Sequence, residues 1–353
     1  AETGVALGFR RLSIIDLSAH GHQPMSSASG RYVIIFNGEV YNFHDLRKEL
    51  TAAGANLKGN SDTEVILEAI EAWGLEKAVK RFIGMFAIAL WDRSERTLHL
   101  IRDRLGVKPL YWGRQGDLLL FGSELKALRA HPEWTPEINR GALAAYFRYA
   151  YVPAPHSIYT GIEKQLPGTI ISIGPDGNAR TTTYWSLADI RDANKKNLFQ
   201  GADDEAADEL DRLIRESVEL RMVSDVPIGA FLSGGIDSST VVGAMQAISP
   251  RPVKTFTIGF EEAAFNEAES AKRIAGHLGT DHTELYVSPA EARDIIPRLA
   301  EVYDEPFADS SQIPTTLVSQ LARKDVTVSL SGDGGDELFG GYDRYLQGQS
   351  LWR

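Results

Sequence analysis

The chain contains no cysteine. Within these residues that excludes disulfides, thiolate metal ligands and a thiol nucleophile. Runs of about 18 consecutive apolar residues are also missing, as is any charged leader followed by an apolar segment, so nothing here reads as a membrane-spanning helix or an export signal. A cytoplasmic setting is the expectation. Positive charge is in deficit, with 37 Lys and Arg against 48 Asp and Glu and a formal net charge of -11. That surplus repels phosphate backbones and anionic lipid, which argues against nucleic acid and membranes as partners. An initiator methionine is lacking too: the chain opens on Ala1, enters an apolar run at residues 5–9 and stops at Leu351-Trp352-Arg353. Both ends are therefore read as cut from a longer protein.

What is present is enough for two cores, since 353 residues at 43% hydrophobic content exceed the usual roughly 100 to 200 residues of one domain. In the first half, residues 32–36 lead into Asn37-Gly38, and residues 85–91 are followed by a polar turn and a further apolar-alternating stretch at 97–101. The pattern predicts an antiparallel sheet of hairpins, with Asn37-Gly38 as a turn. Helices are predicted over 43–53 and, behind the cap signal Ser61-Asp62, over 65–73. Apolar density falls around 186–203, which reads as a connector between a first domain at 1–185 and a second at 204–353. Beyond it, Leu210, Leu213, Ile214 and Val218 form a helical stripe. Short apolar strands at 228–232, 253–260 and 326–330 then alternate with helices, the signature of a doubly wound parallel sheet.

The first of those strands runs into Ser233-Gly234-Gly235-Ile236-Asp237-Ser238-Ser239. Ligands of open α/β sheets bind beyond the carboxyl ends of the strands, so this loop lies where a binding loop should. Gly234 and Gly235 let backbone amides approach an anion closely, and a helix beginning near Ser238 offers unpaired N–H groups. Asp237 conflicts with an anion cradle unless a cation such as Mg²⁺ bridges the two. The loop is not a Walker A motif, for no Lys follows the glycines. It resembles the pyrophosphate loop of the N-type ATP pyrophosphatases, which cleave ATP between its α and β phosphates. A second glycine-rich loop, Ser331-Gly332-Asp333-Gly334-Gly335-Asp336-Glu337, follows the strand at 326–330. Its crowded carboxylates also call for a cation or a cationic partner. Two histidine pairs, His20 with His22 and His277 with His282, lack a third ligand at metal spacing and read as ordinary surface or packing residues.

Together the loops resemble the synthetase domain of the asparagine synthetase family. The first half carries Arg11-Leu12-Ser13-Ile14, Asn37-Gly38-Glu39-Val40-Tyr41-Asn42, Ser61-Asp62-Thr63-Glu64, residues 102–111 (RDRLGVKPLY) and residues 123–128 (SELKAL). These are similar to the glutaminase domain of class II amidotransferases, which implies an N-terminal-nucleophile fold of two antiparallel sheets between helices. The resemblance implies that Arg11 binds the glutamine α-carboxylate, that Asn37 and Gly38 form an oxyanion hole, and that Glu39 and Asp62 hold the α-amino group. A guanidinium fork suits a carboxylate, and carboxylates suit an ammonium. It further implies that Leu232 and Ile258 contact adenine or ribose, that Ser233, Gly234, Gly235, Asp237 and Ser238 hold pyrophosphate, that Ser331 and Gly332 line the AMP and acceptor site, and that Asp237 and Asp336 hold Mg²⁺. Asp333, expected beside the acyl-adenylate, stands where the family often carries Glu.

Family members use a cysteine at the mature N-terminus as nucleophile, with its own amine as base. Either that cysteine lies upstream of Ala1 or glutaminase chemistry has been lost, and the first is the expectation. The implied reaction is ATP-dependent amidation of a carboxylate, aspartate by default, through an acyl-adenylate, with ammonia from glutamine. A sugar acid or other carboxylate as acceptor, or a nucleotide-binding regulatory protein without catalysis, remain the alternatives, and a homodimer is left open.

Overall fold

The β-branched and aromatic runs of the first half pair as strands, and their period-two burial decides which face each side chain takes. The computed structural model describes residues 4–260 and 267–351; Ala1, Trp352 and Arg353, which bear on the reading of the ends, lie outside the described residues. Two compact units are formed, one from Ala1–Phe199 with Ala300–Asp309, the other from Gln200–Leu299 with Ser310–Arg353.

The first unit contains, in chain order, β1 (Met25–Ser26), β2 (Tyr32–Val40), β3 (Gly84–Asp92), β4 (Thr97–Arg102), β5 (Tyr111–Gln115), β6 (Leu118–Gly122), β7 (Ile162–Lys164), β8 (Thr169–Ile173) and β9 (Ala179–Thr183). An antiparallel sheet in the order β1-β2-β3-β4-β8-β9 faces a smaller one in the order β6-β5-β7. Register aligns Val33 with Trp91, Trp91 with Leu98 and Leu98 with Ile173, a row across four strands. That row packs against Leu110, Trp112, Leu119 and Phe121, so the two sheets share one core. On the opposite face Ile34, Phe36, Ile88 and Leu90 are buried, with the helix Asp62–Trp73 lying against β2 and the helix Phe43–Ala52 beside it. The outer face of the smaller sheet is covered by the helices Leu125–Arg129 and Arg140–Tyr149. The result is the expected helix–sheet–sheet–helix stack.

The predicted turn at Asn37-Gly38 does not form; β2 runs straight through both residues. Gly38 has φ +150°, a backbone region that L side chains rarely adopt, and a Cβ there would run into the Met85 carbonyl oxygen on β3. The glycine serves close approach of two strands, not a reversal of one. The helix cap at Ser61 does form, its Oγ accepting from the Glu64 N–H at 3.3 Å. The polar stretch at 186–203 contains a helix of its own, Leu187–Asn194, whose start is capped by Ser186.

In the second unit β10 (Ile228–Phe231), β11 (Lys254–Phe260), β12 (Asp281–Val287) and β13 (Val328–Leu330) form a wholly parallel sheet in the order β12-β11-β10-β13. Val218, Leu232, Val242, Ala271, Ala275 and Leu330 join helices to one face. Phe256, Val318 and Leu321 pack together on the other, with Val287, Ile295 and Leu317 beside them. The chain winds outward from β10 to β12 and then returns to add β13 on the far side of β10. Strand order therefore reverses between β10 and β13, and a crevice at that reversal is where such sheets bind ligands.

Candidate functional site

In the first unit, a cavity of about 700 Å³ is lined by Arg11, Asn37, Gly38, Glu39 and Asp62, all of the residues assigned to glutamine from the sequence. Asp62 and Glu39 are both 6% exposed. Asp62 opens its helix and accepts the Val40 N–H at 3.1 Å. Burial nevertheless pushes its carboxyl up to about 6, against the pull of that bond and of the Arg11 charge. Asn37 donates from Nδ2 to the Ser123 hydroxyl at 2.9 Å, which fixes the amide plane. Arg11 is anchored by its Nη2, which donates to the carbonyls of Ile15 and Asp16 at 2.9 and 2.6 Å, while Nη1 reaches that of Ser18 at 3.4 Å. The guanidinium is thus held by the turn at 15–18 at the edge of the cavity.

Three residues bear on this cavity that sequence reasoning gave no role. Gln23 is buried and ties it together, accepting from the Phe36 N–H at 2.6 Å and donating to the Thr63 hydroxyl at 3.2 Å. Ser123 lay inside a quoted motif, but its grip on Asn37 spans 86 residues and has no local signal. Lys108 lines the wall, and burial pulls its ammonium below the usual lysine range despite the nearby Glu39 and Asp103 carboxylates. Its loop is rigid because the buried Asp103 accepts four backbone N–H groups, from Phe86, Leu105, Val107 and Lys108.

In the second unit the two glycine-rich loops follow β10 and β13, the strands that flank the reversal of strand order. The helix Ile236–Ile248 begins inside the first loop, with Gly235 as its N-cap and no side-chain cap bond to its first N–H groups. Gly234 sits at φ +84°. The Ser233 and Ser238 hydroxyls bond each other at 2.9 Å, Ser238 Oγ accepts the Ser233 N–H at 3.2 Å, and Ser239 donates to the Gly235 carbonyl at 2.6 Å. These bonds, with the Gly235 N–H donating to Ser233 Oγ at 3.3 Å, set the loop's curvature and occupy the amides of Ser233 and Gly235.

The second loop lies directly against the first. A Cβ on Gly332 would come within 2.7 Å of the Ser238 nitrogen, and one on Gly335 would run into the Asp237 carboxylate. Asp237 and Asp336 are thereby brought together. Partial desolvation, then the charges of Asp237 and Glu337, raise the Asp336 carboxyl above its ordinary value, with Arg344 opposing. Like charges held this close fit a divalent cation, so Asp237 and Asp336 suit Mg²⁺. Asp333 is exposed and accepts from the Ser331 hydroxyl at 2.9 Å. Glu337 accepts from Tyr342 at 2.6 Å. Leu232 is 1% exposed and its side chain belongs to the core; its N–H is taken by Phe256 and its carbonyl by the Thr257 hydroxyl. Ile258 likewise packs with Phe256, Leu285 and Val318. Leu232 is thus buried, whereas Ile258 is half-buried at the edge of that cluster.

Residues 1–185 match the glutamine amidotransferase domain family, and residues 209–353 match the asparagine synthase family. The chain is 41% identical, over 98% of its length, to the glutamine-hydrolyzing asparagine synthetase 1 of Bacillus subtilis, covering 53% of that protein. A Methanocaldococcus jannaschii relative carrying the same family name is 38% identical over 98% of the chain and 68% of its own length. Among solved structures, glutamine phosphoribosylpyrophosphate amidotransferase of B. subtilis aligns with 76% of the chain and 49% of its own at 17% identity and a TM-score of 0.36, too partial to bear on the fold. The chain spans about half the length of the B. subtilis synthetase it matches. Matched along both halves, and with the residues of each motif gathered at one place in its unit, the chain belongs to the glutamine-hydrolysing asparagine synthetase family.

Proposed function

We propose that the protein containing this chain forms an amide from a carboxylate, most simply aspartate to asparagine, using ATP and ammonia released from glutamine. The observation that carries this reading is the meeting of the two glycine-rich acidic loops at the point where the parallel sheet reverses its strand order. The division of labour is glutamine binding by residues 1–185 and adenylation by residues 204–353, with 186–203 as connector.

In the first step an oxygen of the acceptor carboxylate attacks the α-phosphorus of ATP. The bond to the bridging β-phosphate oxygen breaks and pyrophosphate leaves. Amides at the start of the helix Ile236–Ile248, with the Ser233 and Ser238 hydroxyls, stabilise the charge that develops on it. Asp237 and Asp336 are the residues that would hold Mg²⁺, which neutralises phosphate charge when bound. Ser331 and Gly332 line the AMP and acceptor side, and Asp333 faces the acyl-adenylate. In the second step ammonia attacks the acyl carbon, AMP departs with the bonding pair, and the nitrogen loses its surplus proton. In the glutamine cavity, Glu39 and Asp62 hold the α-ammonium, Arg11 the α-carboxylate, and Asn37 with Gly38 the oxyanion. The nucleophilic thiol is not among these residues.

The direct test is acceptor-dependent exchange of pyrophosphate into ATP. Asp237→Ala should abolish it, and exchange at the native rate in that variant overturns the reading. Supplying ammonium and screening carboxylates for AMP release identifies the acceptor, and an inert aspartate would reassign it.

A further inference from the structure

Asp304 and Glu305 occupy a place that neither motif explains. They lie in Ala300–Asp309, a segment whose flanking residues belong to the second unit but which itself packs as part of the first. Both carboxylates are nearly enclosed, with side chains 11% and 10% exposed. Asp304 accepts the Leu125 N–H at 2.7 Å and the Lys126 N–H at 3.3 Å. These are orphan donors at the start of the helix Leu125–Arg129, whose own N-cap residue, Glu124, makes no cap bond. The cap comes instead from 179 residues further along the chain. Lys126 Nζ pairs with the same carboxylate at 3.3 Å. Glu305 accepts the Ile158 N–H at 2.7 Å and pairs with Lys164 at 2.5 Å, so the segment is fastened on both sides.

The capped helix starts immediately after Ser123 and Glu124, which line the glutamine cavity. Ser123 is the residue that accepts the Asn37 amide at 2.9 Å. A continuous set of bonds therefore runs from Asp304 through the first turn of this helix to Ser123 and on to Asn37. We infer that Asp304 is a positioning residue for the glutamine cavity, holding Asn37 in its donor orientation through the Leu125–Arg129 helix and Ser123, with Glu305 clamping the segment that carries it. This rests on the reading of Asn37 as an oxyanion donor. Its consequence is that the geometry of the glutamine site depends on residues encoded between two helices of the ATP-binding half.

The test follows the Asn37 side-chain amide in a ¹⁵N spectrum of this chain, assigned by its loss in Asn37→Asp, together with glutamine and ATP affinities by calorimetry. Asp304→Ala should move the Asn37 signal toward its position in Ser123→Ala and weaken glutamine binding about tenfold, leaving ATP affinity unchanged. Asp304→Asn, which keeps one acceptor oxygen, should shift the signal the same way by less, and it stands in if the alanine variant does not fold. An Asn37 signal and a glutamine affinity both unchanged in folded Asp304→Ala overturn the inference, assigning Asp304 a helix cap's role alone. If the unaltered chain binds no glutamine, the reading of the cavity fails, while the Asn37 signal still decides the positioning role.

Discussion

In the first unit the acids of the candidate site, Glu39 and Asp62, are each 6% exposed and set into the wall of a cavity. In the second, Asp333 and Glu337 are exposed and Asp336 only partly covered, on loops whose glycines leave room for close approach. The first arrangement has already removed its charges from water, and Asp62 is fixed by a backbone donor, so its chemistry is bound up with folding and pH. In the second the charges lie nearer to water and repel one another, so under the proposed function a cation and phosphates, rather than folding, would settle them. Acids buried on folding and acids left near the surface are thus present in one chain.

Glycine substitutions break the comparison most sharply. Gly38→Ala places a side chain at φ +150° and into the Met85 carbonyl. It should cost about 4 kcal/mol of stability, read by chemical denaturation of the first unit. Gly332→Ala instead meets backbone of the other loop, the Ser238 nitrogen at 2.7 Å and the Asp237 carbonyl carbon at 2.9 Å, so the two loops must move apart. It should leave the denaturation midpoint near native yet weaken Mg-ATP binding about 100-fold by parting the two loops, measured by calorimetry. Equal stability losses in the two variants would show that the second site is as tightly built into its fold as the first.

Much of this contrast was legible in the sequence wherever cause and effect lie close together along the chain. The Ser61 cap, the apolar stripe after it, and the strand–glycine loop–helix order at 228–239 are local patterns, and each formed as read. Asn37-Gly38 was misread because Asn-Gly favours a turn by local preference, while the actual backbone is dictated by Met85 on the neighbouring strand. The helix Leu187–Asn194 was hidden by low apolar density, its Ser186 cap being outweighed by the polar residues around it. Leu232 and Ile258 carry no mark in the sequence distinguishing a ligand contact from core; Leu232 is buried with its cluster and Ile258 is half-buried beside another. The bond between Asp304 and Leu125 joins positions 179 residues apart and leaves no trace in either neighbourhood.

A medium-sized effect should come from Asp62, whose carboxyl is raised from 3.8 to about 6. An acid with a raised pKa binds its proton more tightly when folded, so its stability contribution is greatest at low pH and is lost as pH climbs from 3.8 to about 6. Above that range the buried charge is a standing cost. Asp62→Asn should therefore raise unfolding free energy at pH 7.5 by roughly 1 to 3 kcal/mol and remove that part of the pH dependence. Glutamine affinity should move the opposite way, falling in the variant at pH 7.5 and, in the native chain, weakening as pH drops below about 6. A variant that is neither stabilised nor impaired would mean that Asp62 is not a buried anion.

The smallest effect should come from Asp336, and it separates the two regimes most cleanly. Its carboxyl is pushed up by partial desolvation and by Asp237 and Glu337. Without Mg²⁺, Asp336→Asn removes one partner of that repulsion from a hydrated site, so the thermal midpoint should rise by only about 1 °C. With millimolar Mg²⁺ and ATP the order should invert, since the native chain gains ligand stabilisation that the variant largely forgoes. A thermal scan of both chains with and without Mg²⁺ measures this crossing. Parallel responses would mean that the acids at the reversal of strand order serve the loop's own structure, as the buried acids of the first unit serve their cavity.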